Sequence, residues 1–170
     1  MAIYIKERKI RKMKNSTLCY LEKDGKYLML HRVKKQIDCN KDKWIGIGGK
    51  FEDKESPEEC MLREVKEETD LTVKSWQYRG IVTFVSDIWE TEYMHLFTSD
   101  DFEGTPKDSG DCEEGILEWV EKDKIKNLNL WKGDLLFLQK ISKPCPFFSM
   151  KLEYKGDDLI CAITDGIKVI

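Results

Sequence analysis

The sequence is short of several things. It has 4 prolines and 11 glycines in 170 residues, too few for a collagen-like or linker-rich chain. It has two histidines, His31 and His95, which leaves little room for a Ser/His or Cys/His triad. Its six cysteines, at 19, 39, 60, 112, 145 and 161, form no Cys-x-x-Cys pair, so the usual zinc spacing is missing. Apolar runs such as Leu135–Leu138 fall far below the roughly 18 residues of a membrane helix. No apolar stretch follows the basic start, so no secretory signal is read there. An excess of one charge is lacking too. The chain holds 29 basic and 32 acidic residues, with a pI near 5.6, which speaks against a nucleic-acid polymer as partner.

What is present is charge itself, at 36% of residues against roughly 25% in ordinary soluble domains. Its placement is uneven. Lys6, Arg8, Lys9, Arg11, Lys12 and Lys14, opposed only by Glu7, give residues 1–14 a net +5, and the total of −3 then leaves −8 on residues 15–170. The simple reading of residues 1–14 is a solvated basic extension. Residues 15–170 have a length that suits one compact domain. Cys19, Cys60 and Cys161 lie in apolar patterns and read as small buried hydrophobes. A reduced, cytoplasmic setting is the simplest explanation of this cysteine usage.

Thr17–Leu21 and Lys26–Arg32 read as strands joined at Asp24-Gly25, a strong hairpin signal. Trp44–Phe51, with Gly46, Gly48 and Gly49, reads as a short strand with close backbone approaches. The spacing predicts a helix from about Pro57 to Thr69. Ser56 is its N-cap, Pro57 takes the first helical position, and Glu59 completes a capping box. Leu71–Val85 and Tyr93–Thr98 read as a long hairpin, and residues 100–112 as a loop. Glu113–Val120 reads as a strand, and Lys132–Ile141 as a helix with Leu135, Leu136 and Leu138 inward. Phe147–Tyr154 and Asp158–Ile163 read as a final hairpin around Lys155-Gly156-Asp157. The sum is a mixed, largely antiparallel sheet with helices packed against it.

The chemistry concentrates between Gly49 and Leu71. Glu64, Glu67 and Glu68 share one face of the predicted helix, since residues three and four apart are neighbours there. Met61, Leu62 and Val65 form the adjoining apolar stripe. Like charges at this spacing destabilise a helix by about 0.2–0.5 kcal/mol per pair; a cation converts the repulsion into attraction. Carboxylates without His or thiolate partners suit Mg²⁺, Mn²⁺ or Ca²⁺. Mg²⁺ in particular is held by one or two carboxylates plus waters and phosphates. The Gly48-Gly49 backbone can come close to such a ligand.

This segment resembles the Nudix box, Gly-x5-Glu-x7-Arg-Glu-U-x-Glu-Glu-x-Gly-U, where U is a bulky aliphatic. Gly49, Glu55, Arg63, Glu64, Glu67 and Glu68 match, as do Val65 and Leu71. Asp70 stands where the last glycine belongs, just past the helix, in a left-handed position that Asp tolerates better than most residues. Trp44-Ile45-Gly46-Ile47-Gly48-Gly49-Lys50 resembles the approach to the box in MutT-type oxidised purine nucleoside triphosphatases, above all the mammalian branch. Gly104-Thr105-Pro106, Glu113-Glu114, Glu118-Trp119, Trp131 and the final hairpin fall in similar order.

The resemblance implies a Nudix α/β/α sandwich that hydrolyses a nucleoside triphosphate to monophosphate and pyrophosphate, with 8-oxo-dGTP as the specific expectation. It implies Mg²⁺ as cofactor, with Mn²⁺ as a substitute, and a small-molecule nucleotide as partner. Glu64 and Glu68 become metal ligands, Glu67 a further ligand or base, and the Gly48 carbonyl a ligand. Arg63 and Glu55 hold the box glutamates in orientation. Glu114 matches a loop glutamate that binds metal or acts as base; a plain surface carboxylate is the competing reading. Arg32, Gly49 and Lys50 join the substrate-binding set, Arg32 as a phosphate contact; Lys34 reads as solvated charge. Trp131 and Asp134 match the part that stacks on and hydrogen-bonds the purine, although a tryptophan before an apolar helix is equally often core. That branch carries two adjacent aspartates where this chain has Gly133-Asp134, and a base-contacting Asn where it has Ile45. Two rivals follow: a Nudix pyrophosphohydrolase for another nucleotide, dinucleotide or sugar nucleotide, and a nucleotide-binding regulator without turnover.

Overall fold

The computed structural model describes residues 13–108 and 111–170, so residues 1–12 of the basic extension lie outside the described residues. In chain order the first elements are β1 (Lys14–Lys23), β2 (Lys26–His31), β3 (Trp44–Ile45), α1 (Pro57–Thr69), β4 (Thr72–Ser86) and β5 (Glu92–Glu103). They are followed by β6 (Ile116–Glu121), a 3₁₀ turn (Ile125–Asn127), α2 (Asp134–Ile141), β7 (Phe148–Lys155), β8 (Asp158–Thr164) and β9 (Ile167–Lys168).

The Asp24-Gly25 turn joins β1 and β2 as an antiparallel pair. Both turn residues have positive φ, 50° and 72°, as a two-residue hairpin requires. β1 lies parallel to β5, β5 antiparallel to β4, and β4 parallel to β7. β7, β8 and β9 continue antiparallel to the edge. On the other side, β2 pairs antiparallel with both β3 and β6. The sheet is therefore mixed and largely antiparallel, as expected.

α1 begins and ends where its signals place it. The Glu59 N–H donates to Ser56 Oγ at 3.2 Å, and the Ser56 N–H donates to Glu59 Oε2 at 2.8 Å. Such a cap is typically worth ~1 kcal/mol. Asp70 caps the other end with φ 64° and ψ −1°. Lys66 Nζ donates to the Asp70 carbonyl at 2.7 Å, which suits the negative end of the helix dipole.

The two helices cover opposite faces of the sheet. Thr17 Oγ1 lies 3.5 Å from Cys60 Sγ on α1, whereas the Tyr20 ring lies 6.2 Å from Phe137 on α2. An odd separation along a strand puts two side chains on opposite faces. The result is an α/β/α sandwich. Leu21, Leu30, Met61, Val65, Leu71, Phe97, Phe137 and Leu152 are buried in its layers, each worth about 1.5–3 kcal/mol relative to exposure. Among the described residues, no helix is long and apolar enough to cross a membrane.

Several local expectations are corrected. Residues 100–103 are not loop; they extend β5, because Val73 and Thr72 on β4 offer Phe102 and Glu103 partners. The strand read over Trp44–Phe51 shrinks to β3, with bridges from Ile47 and Lys50 onto β1. α2 starts at Asp134, so its inward face is Asp134, Phe137, Leu138 and Ile141. Leu135 points outward at 40% exposure. Cys161 is half-buried, not buried. Lys14, assigned to the extension, opens β1 and pairs with Glu90 at 2.8 Å.

Candidate active site

Gly48 and Gly49 explain how α1 comes to face the sheet at this point. A Cβ on Gly48 would lie 1.9 Å from the Thr17 carbonyl oxygen, so only glycine lets this segment lie flush on β1. A Cβ on Gly49 would lie 2.4 Å from the Glu64 carboxyl carbon. Gly48 thus lets the segment close on β1, and Gly49 clears the space into which a helix carboxylate projects. The Ile47 and Gly49 carbonyls accept the N–H groups of Cys19 and Thr17; the Gly48 carbonyl is left out of that pairing.

A cavity of about 580 Å³ opens there. Arg63, Glu64 and Glu68 reach it from α1, Gly48, Gly49 and Lys50 from the segment before it, and Ser16, Thr17 and Leu18 from β1. Arg32 and Glu114 also line it, as do Phe84, Trp131 and Asp134. Most of the residues singled out from sequence are thereby brought to one place. Glu55 and Glu67 are not among the lining residues.

Glu68 is the buried member of the acidic set. Burial, and then the charges of Glu64 and Glu114, push its carboxyl up to about 8, although it accepts the Gly48 N–H at 3.2 Å. Burial also raises the Glu64 carboxyl, against the pull of Arg63. Three carboxylates, Glu64, Glu68 and Glu114, therefore line the cavity, with Arg63 beside the first and Arg32 and Lys35 beside the last. The donors are all oxygen, which fits a hard divalent cation such as Mg²⁺. Among the described residues, no three acidic, His or Cys side chains meet closely enough to enclose a cation on their own.

Arg63 organises the rest. Its Nε and Nη2 donate to Glu55 at 2.6 and 2.9 Å, its Nη1 to Glu64 at 2.7 Å, and its Nη2 to the Lys50 carbonyl at 3.1 Å. The guanidinium holds the Glu55 carboxyl down to about 2. Glu67 turns the other way: its side chain is 60% exposed and accepts from Arg63 Nη1 at 3.2 Å. Glu114 is bound by both Arg32 and Lys35. Arg32 also donates from Nε to Asp38 at 2.7 Å. Lys34, read as solvated, donates to the Cys112 carbonyl.

Trp131 is part of the core and of the cavity wall at once. It is 5% exposed and packs edge-on against Phe84 and Tyr154, yet it lines the cavity. Its Nε1 donates to Asn40 Oδ1 at 2.9 Å, and the Lys43 ammonium sits 4.4 Å above its ring. Asp134 is 5% exposed, and burial pushes its carboxyl up to about 8 while Lys43 pulls the other way.

The Nudix domain profile matches residues 12–141, three quarters of the chain. The chain belongs to the Nudix family. An oxidized purine nucleoside triphosphate hydrolase from Danio rerio is 34% identical over 120 residues, covering 69% of this chain and 74% of that protein. A Nudix hydrolase from Bacillus subtilis (strain 168), YvcI, is 32% identical over 122 residues, covering 69% and 72%. The crystal structure of a MutT protein from Bacillus halodurans superposes with a TM-score of 0.77 at 25% identity, over 89% of this chain and 97% of that one. The protein is thus a Nudix hydrolase with a MutT-like fold.

Some lining residues of this Nudix domain were not visible in its sequence. Asp38, Cys39 and Asn40 lie in the polar stretch after β2, where no periodicity marks one residue above another. Phe84 lies on β4, and strand alternation alone predicts that it points inward, not that it meets a cavity. Ser16 and Thr17 reach the cavity because β1 runs directly beneath Gly48 and Gly49.

Proposed function

We propose that this Nudix hydrolase cleaves nucleoside triphosphates to monophosphate and pyrophosphate with Mg²⁺, and that 8-oxo-dGTP is its substrate. The observation that carries this reading is the shared cavity: Glu64, Glu68 and Glu114 line the same space as Trp131 and Asp134. A carboxylate cluster suits a chelated polyphosphate, and an indole beside a buried carboxyl suits a purine.

When bound, the cation neutralises phosphate charge and makes a water more acidic. Glu64 and Glu68 hold it, and the Gly48 carbonyl, free of β1, is a further donor. Arg63, clamped by Glu55, keeps Glu64 in one orientation. Glu114, steadied by Arg32 and Lys35, serves as a further ligand or takes the proton of the attacking water. Glu67, outside the cavity, acts through Arg63 unless the helix end moves. Arg32 keeps donors beyond those given to Asp38 and Glu114, and these face the phosphates together with Lys50. Trp131 and Asp134 hold the base. The names of the oxidized purine nucleoside triphosphate hydrolases similar to this chain support this substrate class.

The test is turnover of a nucleotide panel with and without Mg²⁺, reading monophosphate, pyrophosphate and phosphate. The panel includes 8-oxo-dGTP, dGTP, dATP, a dinucleoside polyphosphate and a nucleotide sugar. The expected result is Mg²⁺-dependent pyrophosphate release with 8-oxo-dGTP preferred. Equal rates for 8-oxo-dGTP and dGTP defeat the substrate, and binding without any turnover defeats the reaction.

A further inference from the structure

Asn40 sits in the β2–β3 loop and lines the cavity beside Trp131 and Asp134. An indole N–H can only donate. The bond from Trp131 Nε1 to Asn40 at 2.9 Å therefore identifies the oxygen end of the amide and spends it. The nitrogen end, Nδ2, has no protein partner among the described residues. It carries two N–H donors and no acceptor.

The rest of Asn40 is held in place. Its N–H donates to Asp38 Oδ1 at 3.0 Å, and its carbonyl accepts from the Lys43 N–H at 2.9 Å. Asp38 in turn accepts from Arg32 at 2.7 Å, and Arg32 binds Glu114. A chain of polar contacts thus runs from the acidic part of the cavity to Trp131, with Asn40 as its last member. A donor fixed in this way loses little entropy when it binds. Asp134, also in the cavity, has no hydrogen bond from its carboxyl to any described residue.

We propose that Asn40 is a specificity-determining residue: its amide N–H groups donate to the base of the bound nucleotide and favour 6-oxopurines over 6-aminopurines. A 6-oxopurine presents a carbonyl oxygen, an acceptor, at C6; the neighbouring ring nitrogen N7 accepts in dGTP but carries a hydrogen in 8-oxo-dGTP, so the oxygen is the acceptor the two share. A 6-aminopurine puts a donor in its place, and a donor facing Nδ2 leaves both unpaired. This rests on the reading that a purine occupies the cavity beside Trp131.

Asn40→Asp separates the two roles of the residue. A carboxylate still accepts from Trp131 Nε1 but has nothing to donate. Steady-state kinetics of the full chain with 8-oxo-dGTP, dGTP and dATP are measured for wild type, Asn40→Asp and Asn40→Ala. The expected outcome is that both variants lower the preference for the 6-oxopurines over dATP about tenfold, mainly through KM, as one lost hydrogen bond predicts. The preference ratio is read because a new carboxylate repels every triphosphate alike. If Asn40→Asp keeps the wild-type ratio, Asn40 merely supports Trp131 and the proposal falls. If Asn40→Asp does not fold, an unchanged ratio in Asn40→Ala has the same force. If wild type hydrolyses the panel without discriminating among bases, the proposal fails while the reaction stands. If wild type neither binds nor hydrolyses any nucleotide, both fail.

Discussion

Arg63 grips Glu55 with two bonds, Nε and Nη2 at 2.6 and 2.9 Å, while its Nη1 holds Glu64 at 2.7 Å. Glu55 lies eight positions before Arg63 and Glu64 directly follows it, so a single guanidinium ties the segment before α1 to a carboxylate in the cavity. Lysine cannot reproduce this fork. Arg63→Lys is expected to lower kcat/KM about 10–100-fold, the usual effect of losing a group that orients a ligand. Circular dichroism should show the fold unchanged. Wild-type activity in this variant would remove the orienting role.

Glu68 is buried against Glu64 and Glu114, and its charge is costly until a cation arrives. Glu68→Gln should cut turnover at least about 100-fold. Without metal, the variant should melt no lower than wild type, since it relieves a like-charge cluster. Mg²⁺ at 100 times its Kd should stabilise wild type by about 2.7 kcal/mol and the variant by much less. Equal Mg²⁺ stabilisation of the two proteins would contradict the ligand assignment.

Gly48 and Gly49 are adjacent but should fail differently. A Cβ on Gly49 meets the far end of the Glu64 side chain at 2.4 Å, whereas a Cβ on Gly48 meets backbone at 1.9 Å. Gly49→Ala is expected to fold and to lose activity as Glu64 is displaced. Gly48→Ala is expected to lose stability as β1 is pushed away. Thermal melts together with turnover distinguish the two.

Asp134 gives a pH signature. Burial raises its carboxyl to about 8 in the folded chain, against about 3.9 in an unfolded one. The folded state therefore holds the proton that the unfolded state releases between these values. Its contribution to stability is full below pH 4 and is lost as pH rises through 8. Asp134→Asn should remove that fall, so the variant gains on wild type from pH 5 to 9 in denaturant unfolding. A constant difference across this range would show that Asp134 is ionised in the fold.

Asp70 occupies a left-handed conformation, φ 64°, at a cost that glycine does not bear. Asp70→Gly should raise stability by about 0.5–1 kcal/mol with kcat unchanged, measured by denaturant unfolding and turnover. A changed kcat would show that this cap also positions the glutamates of the last helical turn.

Local signals in the chain were enough for α1, for the Asp24-Gly25 hairpin and for the glutamate spacing of the box. Each depends on residues within a few positions of one another: a capping box, two positive φ angles, a helical repeat. That Glu64 and Glu68 share a face follows from helix geometry alone. What the chain did not reveal is which way each side chain is claimed by its surroundings. Glu67 has the same spacing as its neighbours, yet it lies 60% exposed beside Arg63. Leu135 matches an apolar run but faces outward, because the contact with the sheet selects Phe137, Leu138 and Ile141. The raised carboxyls of Glu68 and Asp134 depend on burial by residues distant in sequence. The meeting of Asn40 with Trp131 spans 91 positions. Short-range order followed from backbone and capping preferences. The cavity and its charge balance came from long-range packing, which no local pattern encodes.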